Sequence, residues 1–247
     1  DSQFMVNHYL HNVREAAKYR ISINTHEPIK DTALRRTYPN WIAREGARGQ
    51  EYKAWGEPPN PPDHVPTMAF TRMLSGPMDF TPGVFELQFE RQGVQRVIES
   101  TLARQLALYV VIYSPIQMAA DLPENYEARP RAFRFIRDVP TDWEQSLALA
   151  GEVGKYVAIA RQARDGEDWY LGAVTVGEKR ELSLSLDFLQ TGRDYTAEIY
   201  RDGPAANGKT NPYEIVIDKQ SVTAADTLTL ALAPAGGAAV RFVPAGE

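Results

Sequence analysis

The sequence predicts an α/β region of the (β/α)-barrel kind, followed by an all-β region that forms an antiparallel sandwich or barrel. Three observations carry this. Residues 4–19 space their apolar side chains along one helical face and lead directly into an apolar–polar alternation at residues 21–23, and a helix feeding a strand is the repeating unit of such a barrel. A second helical stripe at residues 94–112 is again followed by a short strand-like run, at 114–120. After Trp143 this grammar stops, and seven short alternating segments separated by turns take over. The division falls at 1–147 and 148–247, and 247 residues are ample for two buried cores.

In the first helix Val6, Tyr9, Leu10, Val13, Ala16 and Ala17 share a face, and Lys18 and Arg20 sit near its end, where cations suit the helix dipole. His8 and His11 are three apart but have no acidic partner nearby, so a structural role outweighs metal binding. Residues 28–66 read mostly as loop. Five prolines between 57 and 66 make the last part a stiff excursion, on which Tyr52 and Trp55 could form a sugar-stacking surface or pack on the rim. Residues 67–75 read as a strand. Asp79 follows in a turn, where an aspartate between glycine and proline usually holds its own backbone. The helix over 94–112 places Val97, Ile98, Leu102, Leu106 and Tyr109 on one stripe. The run at 114–120 reads as the last barrel strand, with Asp121 at its carboxyl end, and residues 125–138 as the closing helix, interrupted at Pro130. The strands of the second region are expected at 155–163, 168–176, 181–188, 195–202, 213–219, 226–233 and 238–243.

Composition excludes several functions. The net charge is −5 and the basic residues are scattered, which disfavours a nucleic-acid partner. With no cysteine there are no disulfides and no thiolate metal sites. No stretch reaches the roughly 18 apolar residues of a membrane span.

Chemistry concentrates at residues 21–52. The first strand ends in His26-Glu27-Pro28, and Glu45 and Glu51 follow, each beside a glycine. Three carboxylates in loops just past a strand suit an active site at the carboxyl end of a parallel barrel. Solvated loop glutamates are the alternative reading.

The stretches INTHEPIK, LRRTYPN, REGARGQEY, FTRMLSGPMDFTPGVFE, ARQLALYVVIYSPIQMAADLPENY and FRFIRDV are long, specific and in a fixed order. Together they resemble glycoside hydrolase family 97, in particular its inverting, calcium-dependent α-glucosidase branch from bacterial starch utilisation. The resemblance implies that residues 1–147 are the C-terminal half of a (β/α)8 TIM barrel, and that 148–247 are the β-sandwich domain behind it. It implies hydrolysis of malto-oligosaccharides with inversion. Glu51 would be the general acid, Glu27 a catalytic base, His26 a substrate-binding residue, and Glu27, Glu45 and Glu51 calcium ligands. Retaining members carry glycine at the position of Glu27, so His26-Glu27 speaks for inversion. Other expectations follow: a second base, a fourth metal carboxylate, an N-terminal β-domain and the first half of the barrel would come from outside this chain. By itself the chain would then be inactive, and the location periplasmic or secreted. A family member acting on another sugar such as an α-galactoside, and a non-catalytic fragment or carbohydrate-binding module, are the alternatives.

Overall fold

The computed structural model describes residues 2–55 and 58–246. Helix α1 (Gln3–Lys18) is capped by Ser2, whose side chain accepts from the Met5 N–H, and it buries Val13. Strand β1 (Ile23–Thr25) follows and pairs in parallel with β2 (Trp41–Arg44). The next neighbour is the segment at Met78, bridged in parallel to Arg44, with the Asp79 N–H donating to the Arg44 carbonyl at 3.1 Å. Beyond it the Met78 N–H donates to the Tyr113 carbonyl at 3.0 Å. Four successive segments thus stand side by side, as in the wall of a parallel barrel. Ile29 and Trp41 close a small core with Val13 beneath the first two.

Several expectations for this wall are corrected. The strand expected at 21–23 begins only at Ile23. Residues 28–66 are not all loop: they hold β2 and three short helices, α2 (Leu34–Thr37), α3 (Tyr52–Trp55) and α4 (His64–Met68). Residues 67–75 are not a strand. They finish α4 and form a 3-10 turn at Arg72–Ser75, because Val65 and Met68 lie three apart and bury one helical face. The run at 114–120 has no strand either, and the wall's fourth contact is made just before it, at Tyr113. Residues 94–112 are not one helix. A hairpin, β3 (Gln88–Arg91) and β4 (Val94–Val97), turns through Gln92 and Gly93, both at positive φ (52° and 74°). Helix α5 (Leu102–Val111) starts only where Thr101 caps it, by accepting from the Arg104 N–H. The closing helix is broken as expected: α6 (Pro123–Glu127) and α7 (Pro130–Asp138) each start on a proline.

The second region is one six-stranded antiparallel sheet in the order β10-β9-β12-β7-β6-β5, with a two-stranded sheet, β8 and β11, on one face. The strands are β5 (Trp143–Glu152), β6 (Tyr156–Ala163), β7 (Trp169–Thr175), β8 (Arg180–Ser185), β9 (Tyr195–Asp202), β10 (Ile215–Val222), β11 (Thr227–Leu232) and β12 (Gly237–Pro244). All seven expected strands are present. The eighth, β5, runs across residues 147 and 148, where the sequence placed the division, so the sheet starts earlier than its alternation suggested. Leu171, Ala173 and Val240 face Leu184, Leu228 and Leu230 in the sandwich core.

Helix α5 joins the two regions. All ten of its residues are buried, because it lies on the other face of the large sheet while its far side meets the wall segments. Gly172 permits the close approach. A Cβ there would stand 2.6 Å from the Ala107 carbonyl and 2.9 Å from the Val110 Cβ. In mid-helix Gln105 exchanges amide hydrogen bonds with Gln50 (2.7 and 3.2 Å) and accepts from the Gly83 and Val84 N–H groups. Every polar atom of this buried pair is thus engaged, and the pair fixes the backbone one residue before Glu51.

Lys53, on α3, is buried and donates to the Glu99 carbonyl at 3.1 Å. Burial, with Arg104 close by, pushes its ammonium down to about 7. The folded value lies below the unfolded one, so between the two the unfolded chain holds the extra proton. Stability from this group therefore rises with pH from about 7 towards the ordinary lysine value. Urea midpoints measured at about pH 7 and pH 9 should rise in the parent, and the rise should flatten in Lys53→Met.

Candidate active site

The site lies at the carboxyl ends of β1, β2 and the Met78 segment. Strand β1 delivers His26, β2 delivers Glu45, and the chain past β2 brings Glu51 back beside them. Ligand-type atoms of His26, Glu45 and Glu51 all fall within 4.8 Å of one another. Three of the four residues expected from the sequence are therefore gathered. The fourth, Glu27, stands beside the group, with its carboxylate outside it. Glu27 occupies a left-handed turn (φ 43°) that brings its N–H, not its carboxylate, to Glu45 Oε2, at 3.3 Å. Tyr9, on α1, holds this turn by donating its hydroxyl to the His26 and Glu27 carbonyls (3.0 and 2.9 Å). Two acceptors share one hydroxyl proton.

The turn-holding role expected for Asp79 is overturned. Its carboxylate is 2 % exposed and accepts from Asn24 Nδ2 (2.5 Å) and from His26 Nε2 (2.9 Å). This leaves His26 Nδ1 facing Glu45 Oε2 at 3.7 Å. A histidine held on one nitrogen by a buried carboxylate has a fixed ring orientation. The sequence signal was available, since Asn24 and His26 alternate on one strand and thus share a face. Asp121 is also structural. One oxygen accepts from the Phe85 and Glu86 N–H groups, and the other from the Leu122 N–H and Asn125 Nδ2. It clamps a loop and the start of α6.

Arg72 is a residue that the sequence reading missed. It donates to the Glu45, Arg44, Gly76 and Pro77 carbonyls and to Ser75 Oγ, and so ties the end of β2 to the loop before Asp79. Thr81 is another. It is β-branched yet sits at φ 58°, a strained position, with its Oγ1 2.6 Å from both Glu51 Oε2 and the Phe80 carbonyl. Gly49 leaves room for the acid, since a Cβ there would stand 2.5 Å from Glu51 Oε2. Tyr52 lies under the Arg48 guanidinium, 5.2 Å from its ring centre. The ring of Trp55, and Glu57 at the start of the proline-rich stretch, lie outside the described residues. His8 pairs with Asn12 and stands apart from the site.

Electrostatics tighten the group. Burial opposes a charge on His26, but the Asp79 hydrogen bond and the carboxylates of Glu45, Asp79 and Glu51 together raise its pKa. Burial, helped by the neighbouring Glu51 and Glu27, pushes the Glu45 carboxyl up, against the Glu27 N–H and His26, which lower it. Like-charged carboxylates with one of them buried make a place that a cation would relieve.

A parallel wall with paired glutamates and a carboxylate-held histidine at its rim is a site of the acid–base kind. Comparison with known proteins makes this specific. The family described as Glycoside hydrolase 97 matches residues 1–47, and the one described as Glycosyl-hydrolase 97 C-terminal, oligomerisation, matches residues 142–243. A glycoside hydrolase family 97 enzyme from Pseudoalteromonas sp. strain K8, solved in complex with panose and with acarbose, superposes with a TM-score of 0.94 at 62% identity, covering 99% of this chain and 38% of that one. A retaining alpha-galactosidase from Bacteroides thetaiotaomicron is 34% identical over 231 residues, 92% of this chain and 34% of the relative. A probable retaining alpha-galactosidase from Streptomyces bingchenggensis is 30% identical over 237 residues, 96% of this chain and 34% of the relative. The chain belongs to glycoside hydrolase family 97. It spans about a third of the length of the curated relatives it matches.

Proposed function

We propose that this chain contributes the acid side of the active site of an inverting, calcium-assisted α-glucosidase acting on malto-oligosaccharides. The observation that carries the reading is the convergence of Glu51, Glu45 and His26 at the ends of parallel strands. Glu51 is the general acid. Thr81 has a single hydroxyl proton. Given to Glu51 Oε2 it steadies the carboxylate, and given to the Phe80 carbonyl it leaves the hydroxyl oxygen free to accept from the protonated acid. Either state of an acid that must cycle between them is thus supported. Glu27, on the adjoining turn, is the base that activates water, and the ring of His26, oriented by Asp79, binds the sugar. A second base and the rest of the barrel wall come from beyond this chain.

The donor set suits calcium. Glu45 and Glu51 offer hard oxygen ligands, Glu27 adjoins them, and the raised Glu45 carboxyl gains from a nearby cation. The nitrogen of His26 suits calcium poorly, which fits its assignment to the sugar. Bound calcium would stabilise charge developing at the sugar.

Sugar preference follows the relative that shares more with this chain. At 62% identity the Pseudoalteromonas enzyme was solved with panose, an α-linked glucose oligosaccharide. The retaining α-galactosidase reading rests on relatives at 34% and 30% identity. By the family resemblance, Glu27 stands where retaining members carry glycine. The full-length enzyme should show a higher kcat/KM on maltose than on melibiose. It should lose activity and melting temperature on chelation, and calcium should restore both. Faster cleavage of melibiose would shift the assignment to an α-galactosidase, and indifference to verified metal removal would reject the calcium.

A further inference from the structure

Glu51 borders a second space. A cavity of about 360 Å³ opens beside it, walled by Thr81, Val84, Phe89 and Ile98, whereas His26, Glu27 and Glu45 do not line it. Glu51 therefore stands between the cluster and this cavity. A general acid protonates the oxygen that bridges the reacting sugar and the group that departs, so it must lie between the two. We infer that this cavity is the leaving-group subsite, and that it holds an uncharged sugar with its apolar ring face on Phe89. This rests on the role of Glu51 proposed above.

The walls fit that occupant. Val84, Phe89 and Ile98 supply an apolar surface, and a flat aromatic side chain matches the C–H face of a pyranose. The volume lies in the range of small-molecule sites. Asp121 also borders the space, but its two oxygens accept from Phe85, Glu86, Leu122 and Asn125, so its charge is already used to clamp the chain. A neutral ligand suits such a lining better than an amine. Phe89 is held by design of the hairpin. The Gln92-Gly93 turn fixes its register, which sets Phe89 opposite Arg96. At the base, the Gln88 N–H donates to the Tyr213 hydroxyl and Gln88 Nε2 to the Lys209 carbonyl, both at 3.1 Å. The all-β region thereby anchors one wall of the subsite, although it brings no carboxylate to the cluster.

The test compares two substrates in the full-length enzyme: maltose, whose leaving group is a glucose, and α-glucosyl fluoride, whose leaving group is too small to reach the wall. Phe89→Ala should lower kcat/KM on maltose by about 10-fold or more, while the fluoride changes less than about 2-fold. Phe89→Leu, which keeps apolar bulk without a flat face, should fall between, and circular dichroism and melting temperature should match the parent for both. Equal losses on the two substrates, or undiminished maltose turnover in a folded Phe89→Ala, would overturn the subsite. Glu51→Gln run alongside separates the two claims. If it spares maltose turnover, the acid assignment fails, whereas the maltose-to-fluoride ratio of the Phe89 variants judges the subsite independently.

Discussion

Replacing Glu51 by glutamine in the full-length enzyme is expected to lower turnover of maltose by about 10²–10⁴-fold, the usual worth of general acid–base help. Glutamine keeps the shape and can still meet Thr81 Oγ1, so the loss reports the missing proton rather than a collapsed site. Substrates with a good leaving group need that proton less. A nitrophenyl α-glucoside should therefore suffer a much smaller loss, and comparing the two substrates in steady-state assays checks this. Equal losses on both would show that Glu51 does something other than protonate the leaving oxygen.

The largest effect on stability is expected at Gly172. Its neighbours Leu171 and Ala173 point into the sandwich core, so residue 172 faces α5, where backbone and helix side chains already stand within 3 Å of a would-be Cβ. A backbone carbonyl cannot yield as a side-chain tip can. Gly172→Val should cost about 3 kcal/mol or more, read as a lower urea midpoint of the isolated chain. Gly166→Ala is the control. A Cβ there meets nothing nearer than 4.0 Å, and its stability should match the parent. The same displacement of α5 would disturb the Gln105–Gln50 pair, which carries the strain on towards Glu51.

How much of this was legible in the sequence depends on distance along the chain. Alternation in the second region reports burial on one face of each strand, and it located all seven strands that were expected. It missed β5, whose residues are mostly exposed and whose alternation is blurred by two register shifts against β6. In the first region periodicity misled. Val97 and Ile98 extend the stripe of α5 backwards, yet Val97 belongs to the hairpin and is largely exposed. The Gln-Gly turn between two short matched runs was the signal for that hairpin. His26, Glu45 and Glu51 could be singled out because they crowd into one stretch and resemble a family motif. Asp79, Thr81 and Gln105 could not, because each acts through a contact with residues some 30 to 55 positions away. Glu27 shows the converse limit. The motif named it, but the left-handed turn that keeps its carboxylate out of the cluster is a backbone property that no spacing reveals.

The central claim is that this site hydrolyses an α-glucoside with inversion, Glu51 as acid and Glu27 as base. The most direct measurement is proton NMR of the first sugar released from maltose or a nitrophenyl α-glucoside by the full-length enzyme, read before mutarotation scrambles the anomers. The account predicts β-glucose as the initial product. α-Glucose appearing first would contradict it, and would assign to this chain the retaining chemistry named for its Bacteroides and Streptomyces relatives.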